Sequence, residues 1–312
     1  MKAARSILLP FMLVLILALF SLYGCTETST EGESGTTHGA LQDGLSQQEL
    51  QEILADSLTN YEDLNTYKFD MDMDILADAS GGIESGKMII ITKTSGATNI
   101  ASQQMQMLMD MSMTVEDFQG QSGSQSMVYD MYMLPDWTYM RLEMPGMAEQ
   151  WVKTPTTDEL MESFDTDVID QQLEPLESPF EIILSGYENI DGMECYVLSI
   201  SPDMGEFMQW VSDQQGTSES VDWEELGMAS DAFKEFTYVC YVAKDTHLLK
   251  KLVLDMVMEF TPEQAGASPE DFDTMIMEIR LDMHIYDYNQ PFSVILPDEA
   301  ENAIEMPASA FS

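Results

Sequence analysis

From Tyr67 onward the chain repeats with a period of two: Tyr67, Phe69, Met71, Met73 and Ile75 alternate with Lys68, Asp70, Asp72 and Asp74. This alternation puts every apolar side chain on one face of an extended strand and every charge on the other. The pattern returns in Met105, Met107, Met109, Met111 and Met113, then in Met127, Tyr129, Met131 and Met133. It appears again in Leu252, Leu254, Met256, Met258 and Phe260, and in Met275, Met277, Ile279, Leu281, Met283 and Ile285. Turn formers separate the runs, as in Leu134-Pro135-Asp136 and Asn189-Ile190-Asp191-Gly192. A large, mostly antiparallel sheet with one buried and one solvated face follows.

Other stretches change to helical spacing. Ser46-Gln47-Gln48-Glu49 has the spacing of a capping box, and Leu50, Ile53, Leu54, Leu58 and Tyr61 recur on one side of the turn that follows. A second helix is expected from Thr156 to Leu173 and a third from Pro202, with a weaker helical stretch from Asp222 to Phe233. The expected fold class is therefore α+β, a large antiparallel sheet with helices segregated to one face.

Composition removes several functions. The 312 residues hold 12 Lys+Arg against 56 Asp+Glu, a formal charge of −44, and 45% are hydrophobic. Nucleic acid is excluded as a partner, because no segment is more basic than the pair Lys250-Lys251. The apolar fraction is too high for an acidic disordered tail. Acidity of this density is read as a property of the surroundings, such as a saline habitat, and not of a binding site.

The N-terminus reads as an address. Lys2 and Arg5 precede an uncharged apolar run from Ile7 to Phe20, shorter than the roughly 20 residues of a spanning helix. Leu22-Tyr23-Gly24-Cys25 resembles the lipobox of bacterial lipoproteins, with Tyr23 bulkier than the usual residue there. The resemblance implies that residues 1–24 are a lipoprotein signal peptide and that Cys25 is lipidated; the alternative is an uncleaved N-terminal anchor. Either way the chain is expected on the extracytoplasmic face of the cell membrane. The Ser/Thr/Gly/Glu-rich stretch up to Gly44 reads as a flexible tether that includes His38, leaving 45–312 as the folded domain.

Few residues suggest reaction chemistry. There is no G-x-S-x-G, H-E-x-x-H, P-loop or dinucleotide fingerprint, so neither an enzyme nor a cofactor is expected. Asp70, Asp72 and Asp74 share one strand face, which could hold a divalent cation loosely or be a solvated acidic row. They do not form an EF-hand, and no metal is assigned to them. His247 and His284 have no partner evident in the sequence. Cys195 and Cys240 lie in two short β-like runs and read either as a disulfide or as two buried free thiols.

Methionine occurs 27 times, 14 of them between Met71 and Met147. An unbranched thioether has weak strand propensity but re-packs easily around different apolar shapes. Met71, Met73, Met107, Met109, Met111, Met131, Met256 and Met258 are thus candidates to line a ligand cavity. The alternative is that they fill an ordinary sheet core.

Four short texts carry a family resemblance. Asn189-Ile190-Asp191-Gly192-Met193-Glu194-Cys195-Tyr196-Val197-Leu198 and Tyr241-Val242-Ala243-Lys244-Asp245-Thr246-His247-Leu248-Leu249-Lys250-Lys251 are each similar to a characteristic hairpin. Tyr288-Asn289-Gln290-Pro291-Phe292 leads into Val294-Ile295-Leu296-Pro297, and Trp151-Val152-Lys153 follows the strand from Trp137 to Met144. In this order they resemble the LolA-like superfamily, especially its LppX/LprG-type lipoproteins and related surface lipoproteins. The resemblance implies a half-open barrel of curved antiparallel sheet, with helices packed on its concave side and acyl chains held against that face. The insertion from about Pro202 to Phe233 and the acidity depart from the pattern. The function expected is an extracytoplasmic lipoprotein that binds, and could carry, a lipid or other hydrophobic small molecule. The alternative is a surface lipoprotein with an envelope-scaffold or protein-binding role and no cavity.

Overall fold

A computed structural model describes residues 45–62, 64–83, 85–118, 121–146, 149–157, 181–201, 232–264 and 267–307. The readings of a signal peptide, of Cys25 and of the tether lie outside these residues. So do most of the helices expected after Thr156 and from Pro202.

Within the described residues one α-helix, α1 (Gln47–Glu62), precedes twelve strands. These are β1 (Thr66–Ser80), β2 (Gly86–Asn99), β3 (Gln104–Phe118), β4 (Gln121–Met133), β5 (Trp137–Glu143) and β6 (Gln150–Pro155). Then come β7 (Glu181–Ile190), β8 (Met193–Ser201), β9 (Phe233–Ala243), β10 (Leu249–Phe260), β11 (Thr274–Tyr286) and β12 (Ile304–Glu305). All twelve belong to one open sheet in the order β12-β6-β5-β4-β3-β2-β1-β11-β10-β9-β8-β7. This overturns the expected α+β class and the half-open barrel with helices on its concave side: the described molecule is mostly β and has a single helix. The reason is strand length. Alternation at β1 and β3 runs for 15 residues each, so backbone pairing between neighbours dominates the architecture.

Two meanders build the sheet. β1 to β6 step outward in one direction, and β7 to β11 step back from the other edge until β11 pairs with β1. That central seam runs without a break from Lys68 opposite Tyr286 to Ser80 opposite Thr274. The β7–β8 hairpin closes through Asp191 and Gly192 at φ 52° and 82°, the left-handed pair a two-residue turn requires. Asn189 Oδ1 accepts the Gly192 N–H at 2.9 Å and fixes the turn.

The capping box forms as its spacing predicts. Ser46 N donates to Glu49 Oε2 at 2.6 Å, and Glu49 N donates to Ser46 Oγ at 3.3 Å. The Glu49 carboxylate accepts from Ser46 N and, at 2.8 Å, from Ser46 Oγ, and these two bonds hold it below its ordinary pKa. Leu50, Ile53 and Leu54 of α1 are buried in one cluster with Phe69, Met71, Met73, Leu252, Leu281 and Met283. Full burial of side chains of this size contributes about 2 kcal/mol each. At its start α1 meets the sheet edge, where the Gln47 side-chain amide donates to the Ile182 carbonyl at 2.7 Å. At its end Asn60 Nδ2 donates to the Thr246 carbonyl at 3.0 Å.

On the other face, the segment after β11 crosses β3 to β6. Val294, Leu296, Ala300 and Ala303 pack on Leu108, Tyr132, Tyr139 and Trp151, and the chain ends as β12 beside β6, the one parallel pair among the described strands.

Cys195 and Cys240 are free thiols, so the disulfide expectation is corrected. Cys240 stands opposite Leu198 and Cys195 opposite Ala243, which sets the cysteines three residues apart in register. Three residues span about 10 Å and reverse the face, whereas a disulfide needs Cα atoms within about 7 Å. Both thiols are completely buried, and burial raises the Cys195 pKa and drives that of Cys240 far up. Alkylation in denaturant without reductant, followed by peptide mapping, should label both cysteines; a linked Cys195–Cys240 peptide would contradict the register.

Gly96 is needed for close approach. It faces Phe69 across β1 and β2, and a Cβ there would lie 2.3 Å from the ring carbons Cε1 and Cζ. Gly96→Ala should therefore destabilise the fold by about 1–3 kcal/mol. Chemical denaturation would check this, with Phe69→Leu in the same chain expected to recover part of the loss.

Candidate functional site

The register turns the alternation into rows that run across the sheet. One row reads Tyr129, Met109, Thr94, Met71, Met283 and Leu252 through β4, β3, β2, β1, β11 and β10. The next reads Met127, Met111, Thr92, Met73, Leu281 and Leu254, and the following one Gln125, Met113, Ile90, Ile75, Ile279 and Met256. Rows on either side add Met131, Met107, Gly96 and Phe69, and Met88, Ala77, Met277 and Met258. No side chain in these rows is charged, although the chain holds 56 acidic residues.

All eight candidate methionines share this face. Met71, Met73, Met107, Met109 and Met131 are buried, and Met111, Met256 and Met258 are half-buried. They do not form one cluster. Met71, Met73 and Met111 belong to the cluster that also holds Leu50, Ile53 and Leu54 of α1; Met107 and Met131 pack with Met105 and Met133; Met258 packs toward Phe260 and Met275.

β2 lies between the Met-bearing strands β1 and β3 and gives the face a different floor. Thr92, Thr94, Gly96 and Thr98 all point to it, flanked by Met71 and Met73 on one side and by Met105, Met107, Met109 and Met111 on the other. The hydroxyls of Thr92, Thr94 and Thr98 are buried without a hydrogen-bond partner, as is that of Thr154 on β6. An unpaired buried hydroxyl costs about 1–3 kcal/mol. β2 does not stand out in the sequence because its pattern is inverted: small and hydroxylated residues face the apolar side, while Ile91 is 40% exposed on the other. The period-two spacing of its threonines was the available signal.

On the opposite face, a cavity of about 390 Å³ is lined by Asp70, Asp191, Lys250, His284, Tyr286 and Asp287 among others. Lys250, at the register shift between Leu249 and Lys251 of β10, is only 2% exposed. Its Nζ lies 3.4 Å from Asp191 Oδ2 and 4.7 Å from the centre of the Tyr288 ring. His284 Nε2 reaches the same Asp191 oxygen at 2.8 Å. Burial acts to raise the Asp191 pKa, but His284 and Lys250 outweigh it and hold the carboxyl below its ordinary value. Burial, followed by the nearby Asp70 carboxylate, raises the Tyr286 pKa. The cluster clamps the β7–β8 turn to β10 and β11. His247 pairs in a similar way with Asp56 of α1 at 2.9 Å. Asp72 stands level with Lys93 and Asp74 with Arg280, so cations on neighbouring strands interleave the acidic row.

Three solved structures match the chain at low identity and low TM-score. A DUF1329 family protein from Desulfovibrio piger matches at 12% identity over 79% of this chain and 95% of its own, with a TM-score of 0.23. The Pseudomonas aeruginosa MucA/MucB complex matches at 12% identity over 75% and 56%, with a TM-score of 0.25. A β-barrel-like DUF1849 domain from Brucella abortus matches at 10% identity over 72% and 99%, with a TM-score of 0.16. No curated protein matches the chain. A family model covers residues 49–305, from the first turn of α1 to the end of β12, and the chain belongs to that family, the family of unknown function DUF6612.

Proposed function

We propose that the protein is an extracytoplasmic lipoprotein, held at the membrane by a lipid on Cys25, that binds a lipid or other hydrophobic ligand on its Met-lined sheet face and serves as its carrier. The observation that carries this reading is the uncharged face from β4 to β10, rich in unbranched thioethers and floored by unpaired hydroxyls. A permanent core is better served by branched side chains with few rotamers, whereas thioethers let one surface fit apolar shapes of different length. The Leu22-Tyr23-Gly24-Cys25 box supports the anchor, and the hairpin texts that resemble the LolA-like superfamily agree with an acyl ligand.

A second reading has its own support. Five of the eight candidate methionines are already buried, as they would be in a filled core, which fits a surface lipoprotein that scaffolds the envelope or binds another protein.

Two experiments test the proposal. Met109→Asp places an unpaired carboxylate on the apolar face and should abolish binding of a fluorescent fatty-acyl probe. Asp72→Asn, exposed on the other face, should bind as wild type does. If Met109→Asp does not fold, Met109→Ala takes its place with a weakened signal expected; wild type that binds no acyl probe would refute the carrier. Separately, Cys25→Ser expressed in the native host should release the protein or leave its precursor unprocessed, whereas unchanged processing and membrane fractionation would refute the anchor.

A further inference from the structure

The cavity on the charged face leaves two groups unmatched. Lys250 is the one buried residue among the described residues that line it. Its ammonium carries three N–H donors. One faces Asp191 Oδ2 at 3.4 Å, an oxygen that His284 Nε2 already takes at 2.8 Å, and another faces the Tyr288 ring. A buried ammonium short of acceptors is costly, so the third donor calls for an acceptor in the cavity. On the far side stand Asp70 and Asp287. Lys68 neutralises Asp287 at 2.7 Å, whereas Asp70 has the Tyr286 hydroxyl beside it and no ion pair among the described residues. Asp70 lies on β1 and Lys250 on β10, with His284 and Tyr286 of β11 between them, so the two backbones stand about 10 Å apart.

A plain anion at Lys250 would face the carboxylates of Asp70, Asp191 and Asp287, and a plain amine held by Asp70 would leave the Lys250 donor unfilled. We infer that this cavity is a binding site for a small zwitterion, whose anionic group accepts from Lys250 and whose ammonium donates to Asp70. The ligand lies across the stacked rings of His284 and Tyr286, whose centres are 5.2 Å apart. A volume of about 390 Å³ is at the small end for ligand pockets and suits a molecule of amino-acid size. A free amino acid and the ethanolamine-phosphate head of a lipid share this chemistry. The site is on the opposite face from the methionines and does not depend on what they bind.

Calorimetry on the full-length protein tests this with glycine, 4-aminobutyrate and 6-aminohexanoate, against butylamine and butyrate as single-charge controls. The best of the amino acids should bind about tenfold or more tightly than either control, because two charged contacts replace one. Lys250→Met should bring amino-acid affinity down to that of butylamine and leave butylamine unchanged. Asp70→Asn, an isosteric change at an exposed residue, should bring it down to that of butyrate. Glycerophosphoethanolamine binding more tightly than every amino acid assigns the site to a lipid head; the reverse assigns it to a free solute, and both outcomes uphold the zwitterion. Equal affinity for amino acids and single-charge controls, an amino-acid preference that survives both variants, or no binding of any zwitterion would overturn the inference and leave the cluster as a clamp on the β7–β8 turn. The wild-type comparison and Asp70→Asn decide the matter even if Lys250→Met fails to fold.

Discussion

Everything in this molecule depends on a two-residue period held in register across long strands. Between Lys68 and Ser80 the seam of β1 with β11 is unbroken, and β2 with β3 is equally continuous from Lys87 opposite Glu116 to Asn99 opposite Gln104. A one-residue slip of β1 would move Asp70, Asp72 and Asp74 onto the face that holds Met71 and Met73. Burying three carboxylates there would cost far more than a domain's net stability. The chain can therefore be extremely acidic and still fold, because register keeps charge on one face and thioethers on the other.

That segregation also shapes the functional reading. The charged face is tied together by contacts across the sheet, such as Lys251 with Asp282 at 2.8 Å and the Asp191, Lys250 and His284 clamp. The apolar face is uncharged in the rows from β4 to β10. It relies on area and on shape, which is where methionine differs from leucine or valine: its side chain adapts to its neighbour instead of specifying it. The buried hydroxyls of Thr92, Thr94 and Thr98 on it lack a partner and are placed where packing alone does not call for a hydroxyl.

Much of this was legible in the sequence. β1, β3, β4, β10 and β11 carry strict alternation, and the structure keeps their candidate methionines on one face. The Ser46 capping box and the Asp191-Gly192 turn are local devices, and local chemistry specifies them fully. What could not be read has physical causes. β2 breaks the apolar code by facing its threonines inward. The pairing of His284 with Asp191 joins residues 93 apart, and only the strand order brings them together. The cysteines looked bondable because their strands are neighbours, but neighbouring strands do not guarantee a shared phase, and a three-residue offset puts the thiols on opposite faces. The expectation of an α+β fold gave helical spacing too much weight against twelve strands of continuous pairing.

The central claim is that the Met face receives a molecule from outside the chain. Native mass spectrometry of the protein purified gently from its own host tests this most directly. The expected spectrum holds a non-covalent adduct with the mass of an apolar molecule, released on denaturation and soluble in organic solvent. A spectrum showing only the covalent mass of the chain and its anchor would contradict it and leave the methionines as the packed core of an open sheet.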